Sequence, residues 1–228
     1  MRQLLLDWGA ARPQTLDSFV IGRNQELATL LRRISAGETN TLDQRFVTIW
    51  GEAGAGKSHV LHALNAGGGA RLLKPELSEL EFVASADCRL YLIDDCERLN
   101  DNQQHALFNL INELRDNGGT LVTAASHPPG QLPLREDLRT RLGWGLVYQL
   151  HGLSDEEKID ALSKSAQARG LSLSPGVLPY LLTHFRRDMQ SLSTMLDALD
   201  RYSLETQRPI TMPLLRELLQ LNDTATPT

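Results

Sequence analysis

The chain has 228 residues, and 41% of them are hydrophobic, which suits one large globular domain or one domain with a smaller companion. Its formal net charge of −5 excludes a general electrostatic attraction to nucleic acid or to anionic membranes. The two cysteines form neither a metal pair nor a secreted disulfide framework, and no run of residues resembles a signal peptide or a membrane span. We therefore expect a cytoplasmic protein that makes no contact with the membrane.

The N-terminal segment 1–14 is separated from the rest of the chain by glycine, proline and polar residues. It carries an amide followed by apolar side chains at Gln3, Leu4, Leu6 and Trp8. Such a segment is either a short linear docking motif or an N-terminal strand that packs onto the domain. Apolar content alone leaves the two alternatives open.

The next residues predict the beginning of an α/β domain. Apolar residues between 27 and 34 recur at i, i+3, i+4 and i+7, which is typical of an amphipathic helix. Residues 36–44 are rich in polar and small side chains and predict a loop. Residues 46–50 form an apolar run that predicts a buried strand.

A glycine-rich turn follows this strand and precedes a helical pattern that begins at His59. Its sequence is Gly51-Glu52-Ala53-Gly54-Ala55-Gly56-Lys57-Ser58. Glycines let backbone N–H groups converge on phosphate oxygens at the positive end of the following helix. In such a loop Lys57 neutralises the β- and γ-phosphates, and the Ser58 hydroxyl ligates Mg²⁺. The segment therefore predicts a site for ATP or ADP with magnesium.

A second apolar run, residues 90–93, ends in Asp94 and Asp95, and a shorter strand is predicted near 71–73. Acids at the carboxyl end of a buried parallel strand lie where α/β sheets bind ligands. We expect Asp94 to hold Mg²⁺ directly or through water, with a helix N-cap as the alternative role. Asp95 is the candidate for orienting the attacking water.

Residues 106–117 predict a helix, and residues 120–125 predict a further buried strand that ends at Ser126. Ser126 either positions water beside the γ-phosphate or starts the turn before Pro128. Most arginines form solvated ion pairs, so composition alone gives no reason to assign a functional role to Arg141 or Arg187.

After residue 150 strands disappear and helical patterns cover 154–169, 175–185, 188–202 and 213–221. Alternating strands and helices before this point favour a parallel sheet with helices on both faces. The predicted organisation is an α/β domain at 15–152, a small all-α domain at 153–221 and a polar tail at 222–228.

Four motifs, in order, resemble the AAA+ module of the bacterial replication initiator DnaA and its relatives. They are Phe19-Val20-Ile21-Gly22 with Asn24, Gly56-Lys57-Ser58-His59-Val60-Leu61-His62-Ala63, Leu92-Ile93-Asp94-Asp95 and Arg141-Leu142-Gly143-Trp144-Gly145. The resemblance covers residues 15–221 and implies a P-loop AAA+ module with a helical lid. It also implies that Ile21 and His59 join the loop at the nucleotide and that Arg187 senses the nucleotide from the lid.

The chain stops where the initiator continues into its helix-turn-helix DNA-binding domain, and the initiator's long N-terminal region has no counterpart. This layout resembles the regulatory inactivators of DnaA within the same family. The resemblance implies that Gln3, Leu4, Leu6 and Trp8 dock onto the DNA polymerase sliding clamp, so that DNA is met only through the clamp. It also makes Arg141 an arginine finger that acts in trans on DnaA, and it gives Ser126 a sensing role.

The expected function is thus negative regulation of replication initiation through stimulated ATP hydrolysis by DnaA. Two alternatives stay open from the sequence. One is a self-sufficient ATPase of the helicase-loader type, which the intact Lys57, Ser58 and Asp94 permit. The other is an ADP-stabilised adaptor in which hydrolysis has no role. Whether the chain hydrolyses its own nucleotide, and whether it forms a homo-oligomer, also stay open.

Overall fold

The computed structural model describes residues 14–39, 41–185 and 188–223, with side chains up to 217. Contacts within the chain divide it into two compact units at the bond between Gly152 and Leu153. The first described unit is an α/β domain, and the second is helical.

The α/β unit contains a parallel sheet whose strand order is β2-β3-β4-β1-β5. Its strands are β1 (Phe46–Trp50), β2 (Ala70–Leu73), β3 (Leu90–Ile93), β4 (Thr120–Ala125) and β5 (Leu146–Gln149). Its helices are α1 (Gln25–Ser35), α2 (Leu42–Arg45), α3 (Lys57–Ala66), α4 (Asp101–Asn117) and α5 (Glu136–Leu142). The predicted parallel sheet flanked by helices is confirmed.

Successive residues of the strands pack on opposite faces of the sheet, as the period of two in a strand requires. One face contacts α4 and α5 through Phe46, Tyr91, Ile93 and Leu121. The other face contacts α1 and α3 through Val47, Ile49, Leu92 and Val122. Because both faces are covered, the inner strands β1, β3 and β4 are almost fully buried and mainly apolar, and this explains why they appear in the sequence as nearly continuous hydrophobic runs.

The strand order determines which carboxyl ends are neighbours. β4 lies between β3 and β1, with Ile93 opposite Thr123 and Trp50 opposite Ala125. Residues that follow β4 therefore lie between the loop after β1 and the acids after β3. This edge is the usual ligand-binding edge of a parallel α/β sheet.

Three local features differ from the sequence predictions. The predicted loop 36–44 is interrupted by α2, where Arg45 donates hydrogen bonds to the carbonyls of Leu114 and Gly119. Helix α3 begins at Lys57, inside the glycine-rich segment, rather than at His59. The stretch 74–87, for which no structure was predicted, contains a 3₁₀ turn at Glu79–Glu81.

The second unit confirms the predicted helical lid domain. It consists of α6 (Asp155–Ala168), α7 (Val177–His184), α8 (Met189–Thr206) and α9 (Met212–Asp223). Its core is built from leucines that include Leu162, Leu181, Leu192 and Leu196. Helix α6 begins with a capping box, in which Ser154 and Glu157 exchange side-chain to backbone hydrogen bonds. In the described part of the chain, no helix has the length and apolarity to cross a membrane.

Candidate nucleotide-binding site

The glycine-rich segment joins β1 to α3 and requires glycine at two positions for different reasons. A Cβ at Gly51 would lie 2.5 Å from the carbonyl oxygen of Leu150, closer than backbone atoms permit. Gly56 has a φ of 106° and is the N-cap of α3. A glycine has no side chain to accept hydrogen bonds from the first-turn N–H groups of the helix. These donors can therefore serve an anion at the positive end of α3.

The Lys57 side chain folds back over this loop. Its Nζ donates hydrogen bonds to the carbonyls of Gly51 at 2.7 Å and Glu52 at 3.0 Å. An ammonium group and helix N–H donors thus meet in one small loop, and both are chemically suited to phosphate oxygens. The Ser58 side chain is exposed on the first turn of α3. The residues present therefore fit a nucleotide phosphate group.

Asp94 is placed at the carboxyl edge by a hydrogen bond from its N–H to the Leu73 carbonyl. The residue is 5% exposed, and its Oδ1 accepts the Asp95 N–H at 3.1 Å. Within the described ranges, no group of three or more His, Cys, Asp or Glu side chains lies close enough to hold a metal ion. A magnesium ion bound by Ser58 and Asp94 would therefore take phosphate oxygens and water as its remaining ligands, as Mg²⁺ commonly does.

Asp95 has a left-handed backbone with a φ of 47°, which is uncommon outside glycine, although aspartate tolerates it better than most residues. Its Oδ2 accepts a hydrogen bond from Arg98 at 3.3 Å, and Arg98 also lies 3.4 Å from Glu76. The Asp95 carboxylate is thus shared with a surface arginine. Its predicted role in orienting water stays a prediction.

Ser126 follows β4, between the loop and the acids. Its N–H donates to Glu97 Oε1 at 3.0 Å, and its Oγ shares a hydrogen bond with His127 Nδ1 at 3.0 Å. Glu97 lies on the 3₁₀ turn Cys96–Arg98 that follows the acid pair. Its Oε2 is buried and has no hydrogen-bond partner among the residues that the structure describes. Sequence reasoning missed Glu97, and the only signal for it was a third acid shortly after Asp94.

Asn24 fixes the segment that precedes α1. Its Nδ2 donates to the carbonyls of Ile21 at 3.0 Å and His151 at 2.9 Å, and its Oδ1 accepts the His151 N–H at 2.9 Å. Asn24 is 5% exposed, so these bonds satisfy a buried amide. The turn containing Ile21, which is half-buried, is thereby tied to the end of the α/β unit. This role of Asn24 was not predicted from the sequence, because it depends on His151, 127 residues away in the chain.

The same N-terminal segment also contacts the phosphate loop. The Phe19 ring lies 5.9 Å from the His59 ring, and Phe19 Cε2 lies 3.5 Å from the position of a Cβ on Gly56. Burial lowers the pKa of His59 below its usual value of 6.5, the Thr15 carbonyl opposes this shift, and nearby His62 adds to it. His59 is thus held mainly neutral beside the loop at neutral pH.

Arg141 lies near the C-terminal end of α5, on the face of the sheet that α4 covers. Its guanidinium carbon is 3.9 Å from the centre of the Trp144 ring and 4.6 Å from that of Phe108. Trp144 precedes Gly145, whose backbone lies against the Phe46 carbonyl at the beginning of β1. Arg141 is thus anchored near the edge opposite the phosphate loop, and neither Phe108 nor Trp144 was predicted to be its partner.

Five predicted site residues lie outside the described residues. They are Gln3, Leu4, Leu6 and Trp8 of the N-terminal segment and Arg187 of the lid unit. Of the other predicted residues, the structure brings the loop, Asp94, Ser126, Ile21 and His59 to the carboxyl edge of the sheet, and it places Arg141 apart from them.

These features together define a P-loop AAA+ module: a parallel sheet, a phosphate-type loop after β1, acids after β3 and a helical lid unit. Two family models match the chain. One, described as the bacterial DnaA ATPase domain, matches residues 71–149, and the other, described as Hda, lid domain, matches residues 155–219. An uncharacterized protein of Haemophilus influenzae is 34% identical over 220 residues, which cover 91% of this chain and 94% of that protein. The chain belongs to the DnaA-related AAA+ family.

Solved structures share the fold at low sequence identity. Domain III of DnaA from Thermotoga maritima superposes with a TM-score of 0.70 at 19% identity and covers 92% of this chain and 96% of that one. AMPPCP-bound DnaA from Aquifex aeolicus gives a TM-score of 0.67 at 17% identity, covering 85% and 67%. The branch migration motor RuvB of T. maritima gives 0.68 at 15% identity, covering 92% and 72%. The AAA+ fold is thus shared by proteins of different function.

Proposed function

We propose that this chain is a nucleotide-binding regulator of replication initiation that stimulates hydrolysis of the ATP held by DnaA. The observation that carries the proposal is the position of Arg141, near the edge of the sheet where β1 begins and on the face covered by α4. The phosphate loop leaves the other end of β1, and a five-residue strand spans about 16 Å. An arginine in this position suits a nucleotide held by another molecule better than one held by its own loop.

The surroundings of Arg141 also favour such a role. In the part of the chain that the structure describes, its guanidinium has ring contacts and no hydrogen bond or ion pair. Its planar set of N–H donors is therefore available to a phosphoryl group. An arginine supplied in trans to a phosphoryl-transfer transition state accelerates the reaction by about a thousandfold or more.

The chain's own nucleotide, ADP or ATP with Mg²⁺, is proposed to bind at the carboxyl edge of the sheet. Lys57 and the loop N–H groups bind the phosphates, Ser58 and Asp94 serve the metal, and Ile21 and His59 complete the site within the α/β unit. The sensing role of Arg187 rests on the family resemblance alone. The nucleotide supplies negative charge that satisfies the free donors of the loop. DnaA proteins of the same fold have been solved with AMPPCP, which supports nucleotide binding by this chain.

One observation favours the adaptor alternative over self-sufficient hydrolysis. The Asp95 carboxylate, which was expected to orient water, contacts Arg98 instead of standing free. Turnover by the isolated protein separates the alternatives. Sustained hydrolysis without DnaA would support a self-sufficient ATPase, and bound but unhydrolysed nucleotide would support the regulator or the adaptor.

Clamp docking by Gln3, Leu4, Leu6 and Trp8 is part of the proposal and rests on the sequence pattern alone. A pull-down with the purified sliding clamp tests it, using the wild type, Gln3→Ala and the control Gln14→Ala. We expect retention of the wild type and of the control, and loss of Gln3→Ala. Equal retention of all three proteins would remove this segment from the proposal.

The regulatory function is tested by reconstitution. Clamp-loaded DNA, ATP-bound DnaA and this protein are mixed, and released ADP is measured. We expect faster ADP release with the wild type and with Arg139→Ala, a control on the same helix that contacts the Gly130 carbonyl. We expect no stimulation with Arg141→Ala. Absence of stimulation by the wild type would contradict the proposed function.

A further inference from the structure

Glu97 connects the acidic turn after β3 to the end of β4. Its Oε1 accepts the backbone N–H of Ser126 at 3.0 Å, across a separation of 29 residues in the chain. A hydrogen bond from an amide to a carboxylate is about twice as strong as one between neutral groups. The bond therefore restrains the position at which the chain leaves β4.

The second oxygen of the Glu97 carboxylate suggests that this side chain does more than pack. Glu97 Oε2 is buried and, among the described residues, accepts no hydrogen bond. A buried carboxylate oxygen without a partner is costly, so a side chain with no role beyond packing is better served by an apolar residue. The neighbouring Cys96 is fully buried in the core of the α/β unit, which holds the turn that carries Glu97 in place.

Ser126 lies directly after β4, next to the proposed nucleotide site, so restraining it affects that site. β4 lies between β1 and β3, so Ser126 follows the strand that separates the phosphate loop from Asp94. A terminal phosphate held by the loop would therefore approach this position. Small displacements of Ser126 would change how well its hydroxyl meets that phosphate.

We propose that Glu97 is a positioning residue that, through the Ser126 N–H, sets how the protein distinguishes nucleoside triphosphate from diphosphate. This inference rests on the proposed nucleotide site. Glu97 does not touch the nucleotide, and its effect is transmitted by the backbone of Ser126. The distinction between the two nucleotides is thus built on a contact between the ends of β3 and β4.

The test compares Glu97→Ala, Glu97→Gln, Ser126→Ala and the double variant Glu97→Ala with Ser126→Ala. Glutamine keeps an oxygen that can accept the Ser126 N–H, and alanine does not. The measured quantities are the dissociation constants of ADP and AMPPCP and the hydrogen exchange rate of the Ser126 amide in nucleotide-free protein. We expect Glu97→Ala to change the ratio of the two constants by about tenfold, to leave the ADP constant nearly unchanged and to speed exchange of the amide.

Two further results are required. Glu97→Gln keeps the wild-type ratio, and the double variant matches Ser126→Ala, because a residue that acts through Ser126 has no further effect once its hydroxyl is gone. An unchanged ratio in Glu97→Ala or Ser126→Ala, or an equal loss of affinity for both nucleotides, overturns the inference. Failure of the wild type to bind either nucleotide would instead contradict the proposed nucleotide site.

Discussion

The Lys57 side chain is held in position by backbone carbonyls of its own loop before any ligand binds. The two carbonyls that it contacts, those of Gly51 and Glu52, keep the ammonium over the segment whose N–H groups are free at the start of α3. A phosphate that enters this loop meets positive charge without a large movement of the side chain. The cost of ordering the lysine is then already met in the free protein.

Replacing Lys57 with alanine should weaken nucleotide binding by roughly 10- to 100-fold, because a charged hydrogen-bonding group typically contributes about 1.5–3 kcal/mol. The dissociation constants of ADP and ATP check this expectation. Lys164→Ala is a suitable control, since Lys164 is exposed on α6 and pairs with Asp160. An unchanged affinity in Lys57→Ala, with the fold intact by circular dichroism, would remove the loop from the nucleotide site.

His59 should give the protein a measurable pH dependence. Burial lowers the pKa of His59 in the folded state below 6.5, so below pH 6.5 the unfolded chain binds a proton there more readily than the folded chain. The free energy of unfolding of the wild type should therefore decrease more than that of His59→Gln as the pH falls from about 7.5 to about 5.5. Urea unfolding at several pH values measures the difference. Parallel curves for the two proteins would contradict the assignment.

At the scale of elements, the turn before α1 depends on one buried amide. Asn24 makes three hydrogen bonds that tie Ile21 to His151, so one buried side chain links this turn to the end of the α/β unit. The turn carries Phe19, which packs near His59 and Gly56. The shape of this edge of the sheet therefore depends in part on Asn24, whose partner His151 follows Leu150, a residue in contact with Gly51 of the phosphate loop.

Asn24→Ala should lower the free energy of unfolding by about 1–3 kcal/mol, because the His151 N–H and two carbonyls lose their buried partner. It should also weaken nucleotide binding, because the turn is released from its position. Denaturant unfolding and calorimetric titration check the two effects. Asn109→Ala, on the exposed side of α4, is the matched control. Full stability and affinity in Asn24→Ala would show that the turn is held by other contacts.

The elements that could be predicted from sequence are those determined by local pattern. Three apolar runs predicted β1, β3 and β4, and an i, i+3, i+4, i+7 pattern predicted α1, because strands buried on two faces and amphipathic helices have distinct hydrophobic patterns. The short helix α2 was missed because it depends on Arg45, which contacts carbonyls about 70 residues away. The turn at Glu79–Glu81 was missed for the same kind of reason, since the Gln103 side chain holds the carbonyls of Pro75 and Leu77.

The candidate site also contains residues that could be predicted from local sequence and residues that could not. The phosphate loop and Asp94 lie in local motifs and were predicted directly from residue type and spacing. The contact of Glu97 with Ser126 and the rings around Arg141 could not be predicted, because each joins residues that only the folded sheet and helices bring together. Asp95 had the right residue type for its predicted role, but its partner Arg98 is apparent only in the structure.

At the scale of the whole molecule, a net charge of −5 gives no general affinity for DNA, so any action on replication has to come from local surfaces. One such surface contains Arg141 and Trp144, with Arg115 5.5 Å from the same ring. Two guanidinium groups and an indole ring that is 38% exposed form a basic and aromatic surface on an acidic protein. Arginine and tryptophan are the residues most often found at the centres of protein interfaces.

We propose above all that Arg141 acts on a nucleotide bound by another protein. The direct test is single-turnover hydrolysis of labelled ATP that is bound to DnaA before mixing, with clamp-loaded DNA present and free nucleotide removed. We predict rapid conversion of the label to ADP with the wild-type protein, and a loss of about a thousandfold in that rate with Arg141→Ala. Equal rates with the two proteins, or no acceleration by the wild type, would contradict the account.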